Sequence, residues 1–238
     1  MKLKNYLPRK IYEPLISFYN RYIGEHYQKS YAQQGEDIVL QRILAGINKG
    51  FYVDIGAHHP KRFSNTYFYY KKGWRGINVE PNPNTKRLFD KIRTRDINLE
   101  TPVSDKEEEL TYYMFNDPAL NGFSKEISDE VNGQADYRIN GTVKMKTKTL
   151  SSILDEYLPR GQKIDLLSID VEGFDLKVLI SNDWEKYNPI VILVEDKEFD
   201  INKPSDSSTY RFLSSKNYKL IAKTLNTLIF KLESYLRI

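Results

Sequence analysis

Residues 51–57 read Phe-Tyr-Val-Asp-Ile-Gly-Ala, an apolar run that closes on an acid and a glycine. An uninterrupted apolar run of this length predicts a strand, Phe51–Ile55, buried on both faces, and such strands belong to parallel sheets with helices on each side. The surrounding sequence repeats the theme. Glu36–Ile47 carries apolar residues at helical spacing and ends near Gly46 and Gly50. Downstream, the pattern predicts strands at Gly76–Val79, Ile164–Val171 and Ile190–Val194. It predicts helices at Asn65–Lys72, Pro83–Arg93, Leu150–Tyr157, Leu176–Ile180 and Ser208–Ser215. Asn98–Val103 and Leu110–Phe115 read as extended. Lys219–Lys223 and Thr227–Leu232, separated by a short turn, read as an antiparallel pair. The expected fold is therefore α/β, a mostly parallel sheet with an antiparallel C-terminal hairpin.

Residues 116–147 break this rhythm. They are polar and carry Asn121-Gly122, Asn132-Gly133 and Asn140-Gly141, so a long loop or flap is expected there. Residues 1–30 also stand apart, with Tyr6, Tyr12, Phe18, Tyr19, Tyr22 and Tyr27 interleaved with Lys and Arg. They read as a Tyr/Lys-rich helical arm preceding a domain over residues 31–238. The arm either packs on the domain or makes a peripheral contact with a membrane surface or partner. Pro8, Arg9, Lys10 and Glu13 break the apolar run that a signal peptide needs.

Composition excludes several chemistries. The 238 residues include no cysteine, which removes disulfides, thiolate metal sites and a cysteine nucleophile, and only three histidines. No stretch approaches the ~18 apolar residues of a membrane span, and a cytoplasmic location is expected. The net charge of +4 is a mild bias toward anionic partners. There is neither a strongly basic stripe nor the Pro-Pro-aromatic segment of enzymes acting on flipped bases, so nucleic acid is not expected as a partner.

Chemistry concentrates at the strand ends. Asp54, Glu80, Asp170 and the pair Glu195–Asp196 each follow an apolar strand, and ligands of such sheets bind at the carboxyl ends of the strands. One such acid is explained by helix capping; four in equivalent places point to a site. The loop after the first strand has Gly56 alone, followed by Ala57, His58, His59 and Pro60, and lacks the three glycines of a dinucleotide site. A ligand without a diphosphate fits better. Glu80, 26 residues after Asp54, is spaced to accept both hydroxyls of a ribose, and S-adenosylmethionine matches that arrangement.

With these motifs the chain resembles the FkbM-type S-adenosylmethionine-dependent methyltransferases. The resemblance runs from about Tyr31 to Lys231 and rests on Tyr31-Ala-Gln-Gln-Gly-Glu-Asp37, Phe51–Ala57, Ser64-Asn-Thr66, Gly73-Trp-Arg-Gly76, Glu80-Pro-Asn82, Ser168-Ile-Asp-Val-Glu-Gly173 and Ile192-Leu-Val-Glu195. It implies a class I methyltransferase (Rossmann-like) sheet and O-methylation of sugars or other hydroxyl groups. It places Asp54 and Gly56 at the methionine end of the cofactor, Glu80 at the ribose, and Gln33 and Glu36 in a lid over the amino-acid moiety. The family's usual Asn is His at position 58. Ser104 and Asp105, after the third strand, are the adenine candidates.

Transfer to a hydroxyl needs a means of removing its proton, and two routes are open. In one, Asp170, Glu195 and Asp196 hold Mg²⁺ or Mn²⁺, since all-oxygen ligation suits a hard cation. In the other, His59, Asp170 or Glu172 is the general base. The expected acceptor is a sugar hydroxyl of a nucleotide-activated sugar or a surface polysaccharide, as in capsule or lipopolysaccharide pathways. Lys61, Arg62, Lys71, Lys72 and Arg75 are placed at the site mouth for a phosphate-bearing substrate. The Lys-, Asn- and Tyr-rich composition fits a bacterium. The alternatives are a non-sugar acceptor, phosphate-bearing or a secondary metabolite, and a non-catalytic scaffold that keeps the cofactor fold.

Overall fold

Strands and helices alternate along the chain. The computed structural model describes residues 8–19, 21 and 28–235. Tyr6, Tyr22 and Tyr27 of the arm lie outside the described residues; within it, α1 spans Arg9–Phe18 and buries no side chain.

Seven strands form the main sheet: β1 (Phe51–Ile55), β2 (Arg75–Val79), β3 (Ile97–Leu99), β6 (Leu166–Ile169), β7 (Val191–Glu195), β8 (Tyr218–Lys223) and β9 (Thr227–Leu232). Their order is β3-β2-β1-β6-β7-β9-β8. The first five run parallel, and β9 pairs antiparallel with both β7 and β8. This is the expected class I arrangement.

Period-two geometry sends alternate side chains to opposite faces, and the two cores follow it. Phe51, Val53, Ile55, Leu167, Ile169, Ile192 and Val194 pack beneath α6 (Leu150–Tyr157), α7 (Asp175–Ile180) and α8 (Ser208–Ser215). Tyr52, Leu166, Val191 and Leu193 point the other way, against α2 (Glu36–Ile43), α3 (Tyr67–Lys71) and Trp74. Near β2 this second face turns polar. Arg93, just past α4 (Thr85–Ile92), is wholly buried and pairs with Asp96 at 2.8 Å. It also donates to the Pro60 carbonyl, Tyr52 Oη, Thr66 Oγ1 and Asn78 Oδ1.

The region expected as an irregular flap is ordered as an insertion. β4 (Glu109–Phe115) and β5 (Ile139–Lys146) form a separate antiparallel pair with α5 (Lys125–Val131) between them. Asn140-Gly141, read as a sign of the flap, lies inside β5, where the register slips between Met114 and Phe115 and leaves Asn140 without an opposite residue.

Candidate active site

The chain leaves β1 toward β2 and β3, then returns past β1 to form β6. The reversal opens a crevice at the carboxyl ends of β1 and β6. A cavity occupies it, floored in strand order by Val79–Pro81, Ile55 and Gly56, Asp170–Glu172, and Glu195 with Lys197. Thr101 and Val103 close the β3 side, and the 118–123 segment between β4 and α5 covers the top. Three inter-strand spacings separate β2 from β7, or about 14 Å, room for an elongated ligand and a second molecule end to end.

Gly56 makes this crevice possible. Its φ is +77°, and a Cβ there would lie 1.7 Å from the Asp170 carbonyl oxygen. The glycine thus lets the exit of β6 pass against the β1 loop. His58, two residues on, also has a left-handed backbone, with φ +50°. Asn and His are among the few side chains that tolerate this region, which explains how His replaces the usual Asn.

Glu80 is buried in the cavity wall. One carboxylate oxygen accepts the His58 N–H at 2.7 Å and the other the Asn82 N–H at 2.9 Å. Burial nonetheless pushes its pKa up to about 7. Each oxygen keeps lone-pair capacity toward the cavity, so the group is fit to receive two neighbouring hydroxyls.

At the other end Asp170, Glu172 and Glu195 bring one carboxylate oxygen each within 4.8 Å of one another. Burial, then the charges of Glu195 and Glu172, hold Asp170 well above the usual carboxylate range. Burial and Glu172 push Glu195 up to about 7. Lys197 answers these charges, with Nζ 2.7 Å from Glu172 and 3.1 Å from Glu195. Burial works against its charge, but the two glutamates keep its pKa above the ordinary lysine value. Glu172 is set by a tight turn: its φ is +48°, and the Asp175 carboxylate accepts the N–H groups of Val171 and Gly173 on either side.

Several expected site residues are placed elsewhere. Asp54 points to the opposite face of the sheet, where it accepts the Thr66 hydroxyl at 2.6 Å and joins the Arg93 cluster beneath the cavity. Gln33 lines the cavity. Glu36 instead accepts the Gln34 N–H and the Thr224 hydroxyl, fastening the loop to the β8–β9 turn. Ser104 is buried with its hydroxyl on Asp105; the cavity is lined by Thr101 and Val103 instead. His59 uses Nδ1 to accept the N–H groups of Lys61 and Arg62, so it caps its own loop while His58 faces the cavity. Asp196 accepts the Ser207 hydroxyl at 2.6 Å at the entry to α8, and Glu172 takes its expected place in the carboxylate cluster. Lys61, Arg62, Lys71, Lys72 and Arg75 are absent from the cavity lining; Lys71 and Lys72 border a separate groove.

Sequence reasoning missed Lys197 and His58, whereas the covering segment falls within the flap expected over residues 116–147. Lys197 follows Glu195 by two residues, and residues 196–200 read as acidic surface.

The model of the Methyltransferase FkbM domain matches residues 54–220. Methyltransferase sdnD of Sordaria araneosa is 34% identical over a 131-residue alignment that covers 40% of this chain and 49% of that protein. The chain thus spans about half the length of the curated relative it matches. Among solved structures, a TehB-like S-adenosylmethionine-dependent methyltransferase of Corynebacterium glutamicum aligns with a TM-score of 0.38 at 9% identity, covering 94% of this chain and 97% of that one. A structure described as an O-methyltransferase of Klebsiella pneumoniae aligns with a TM-score of 0.40 at 9% identity, covering 97% and 93%.

Proposed function

Because this chain belongs to the FkbM methyltransferase family, we propose that it transfers the methyl group of S-adenosylmethionine to a hydroxyl oxygen. The observation that carries this reading is one cavity with Glu80 at one end and the Asp170–Glu195 pair at the other. When bound, the cofactor supplies an electrophilic methyl on a sulfonium, already activated. Glu80 would receive the ribose hydroxyls, Thr101 and Val103 would flank the base, and Gln33 and Gly56 would face the amino-acid end. Asp54 acts from below, holding the β1 loop through Thr66.

The remaining task is to orient the acceptor and take its proton. Asp170 is our general base, because it faces the cavity at the carboxyl end of β6 and burial beside Glu195 and Glu172 raises its affinity for a proton. It shares its site with Glu195 and Glu172, so the protons of this group belong to the set. The donor set would suit a hard divalent cation. Lys197, however, already meets two of the three carboxylates, and a metal would have to displace it. We therefore favour the base route, with Lys197 as the resident cation. The scaffold alternative loses ground because Glu80 and Asp170 both face the cavity.

For the acceptor, we favour a sugar hydroxyl, a polar group on a flat ring. Phe63, Phe123 and His58 border the cavity beside these charged groups and offer faces for stacking. The test is formation of S-adenosylhomocysteine with a panel of sugar, nucleotide-sugar and non-sugar alcohols. Turnover confined to sugars supports the full reading, turnover confined to other alcohols overturns the sugar assignment, and none with any alcohol overturns O-transfer.

A further inference from the structure

Charge is distributed unevenly along this chain. Residues 1–30 hold six basic and two acidic side chains, the same +4 as the whole protein, so residues 31–238 are balanced. Within this segment α1 is amphipathic: Ile11, Leu15 and the C-cap residue Tyr19 lie along one stripe, and Arg9, Lys10 and Glu13 lie opposite. Ile11, Leu15 and Tyr19 are each more than half exposed.

A second feature lies away from the active cavity. Lys29, Tyr31, Phe68, Lys71 and Lys72 line a surface groove. The Lys29 and Lys71 ammonium groups lie 5.3 and 5.4 Å from the centre of the Tyr31 ring, and Lys72 lies 4.5 Å from that of Phe68. Lys71 also donates to Tyr31 Oη at 2.9 Å. Among the described residues none of the three lysines pairs with a carboxylate. Three cations beside aromatic rings, unpaired with any carboxylate of the described residues, make a site for anionic oxygens.

We propose that α1 and this groove together dock the protein on an anionic phospholipid surface, Ile11 and Leu15 entering the headgroup boundary while Lys29, Lys71 and Lys72 meet lipid phosphates. Stable peripheral attachment takes two signals, buried apolar side chains and cationic attraction. Each lysine near such a surface contributes about a fivefold gain in affinity. A soluble polyanion would satisfy the lysines but leave the stripe of α1 in water, so the pairing of the two features favours a bilayer. The inference stands apart from the proposed chemistry.

The test is co-sedimentation of the full chain with phosphatidylglycerol/phosphatidylcholine vesicles, with phosphatidylcholine vesicles and soluble heparin as comparisons. We expect binding to the anionic vesicles only, released by salt. Ile11→Asp/Leu15→Asp should weaken it by at least about tenfold, and Lys71→Glu/Lys72→Glu by at least about 25-fold. All four positions are on the surface, and matched melting curves check that the variants fold. No affinity for anionic vesicles, equal pelleting with both vesicle types, or binding untouched by either variant overturns the proposal. Tight heparin binding without vesicle binding overturns it too, and assigns the groove to a soluble polyanion.

Discussion

Glu80 offers a quantitative test through pH. In the ligand-free protein its pKa is pushed up to about 7 by burial, whereas ribose hydroxyls need the carboxylate form as acceptor. Apparent affinity then scales with the ionised fraction, about 0.09 at pH 6 and about 0.9 at pH 8, so S-adenosylmethionine should bind about tenfold tighter at pH 8. Glu80→Gln should weaken binding and flatten this slope. The amide would also set its NH₂ against the N–H of His58 or Asn82, leaving one donor unpaired. The same shift has a stability consequence of opposite sign. Between the ordinary pKa of 4.5 and the folded value of about 7 the folded state holds more protons than the unfolded chain. Stability is therefore greatest below this window and is lost as pH rises through it. Glu195, at about 7, and Asp175, at about 6, act in the same direction. The ligand-free protein should melt at a higher temperature at pH 5 than at pH 8, and the ligand should offset more of that loss at pH 8. Calorimetric titration at pH 6, 7 and 8, with melting curves alongside, reads both effects. A flat affinity in the wild type, or an unchanged slope in Glu80→Gln, would refute the assignment.

Three further outcomes follow from the geometry. Asp170→Asn should lower single-turnover methyl transfer by about 10²- to 10⁴-fold with cofactor affinity unchanged; wild-type turnover would remove Asp170 as the base. Lys197→Met removes the ion-pair partner that Glu172 and Glu195 share among the described residues, so the acid limb of the pH–rate profile should move up by about one unit. A profile that stays in place would leave Lys197 without influence on the base. Arg93→Met strands Asp96 in the interior and should cost about 3–5 kcal/mol in denaturant unfolding; a loss well under 1 kcal/mol would mean the buried pair is not the anchor of this face.

The fold was largely legible because its signals are local. Phe51–Ile55, Leu150–Tyr157, Ser208–Ser215 and Thr227–Leu232 form at the expected residues, each from a run whose periodicity or apolar continuity is unambiguous. β5 was not, although Ile139, Gly141, Val143 and Met145 alternate with polar residues in sequence and in burial. Its Asn140-Gly141 pair reads as part of a loop or flap, and only the partner strand reveals a bulge. The site was legible in its backbone-bound members: Gly56, Glu80, Asp170 and Glu195 stand at strand ends that the sheet order brings together. What failed depends on which face a residue meets. Asp54 is one residue before the crevice and points through the sheet to Thr66. Asp196, one residue past Glu195, turns to Ser207. Such single-residue reversals follow from the two-residue period of a strand, and a linear motif does not say which side faces the ligand.

The central claim is that the crevice across β2, β1, β6 and β7 holds S-adenosylmethionine using this chain's own residues. Calorimetric titration of the full, chelator-treated protein tests it most directly. We expect one equivalent of S-adenosylmethionine to bind without added metal, NAD to give no heat, and Glu80→Gln to bind more weakly. No binding, or binding that appears only after Mg²⁺ is added, would contradict the account.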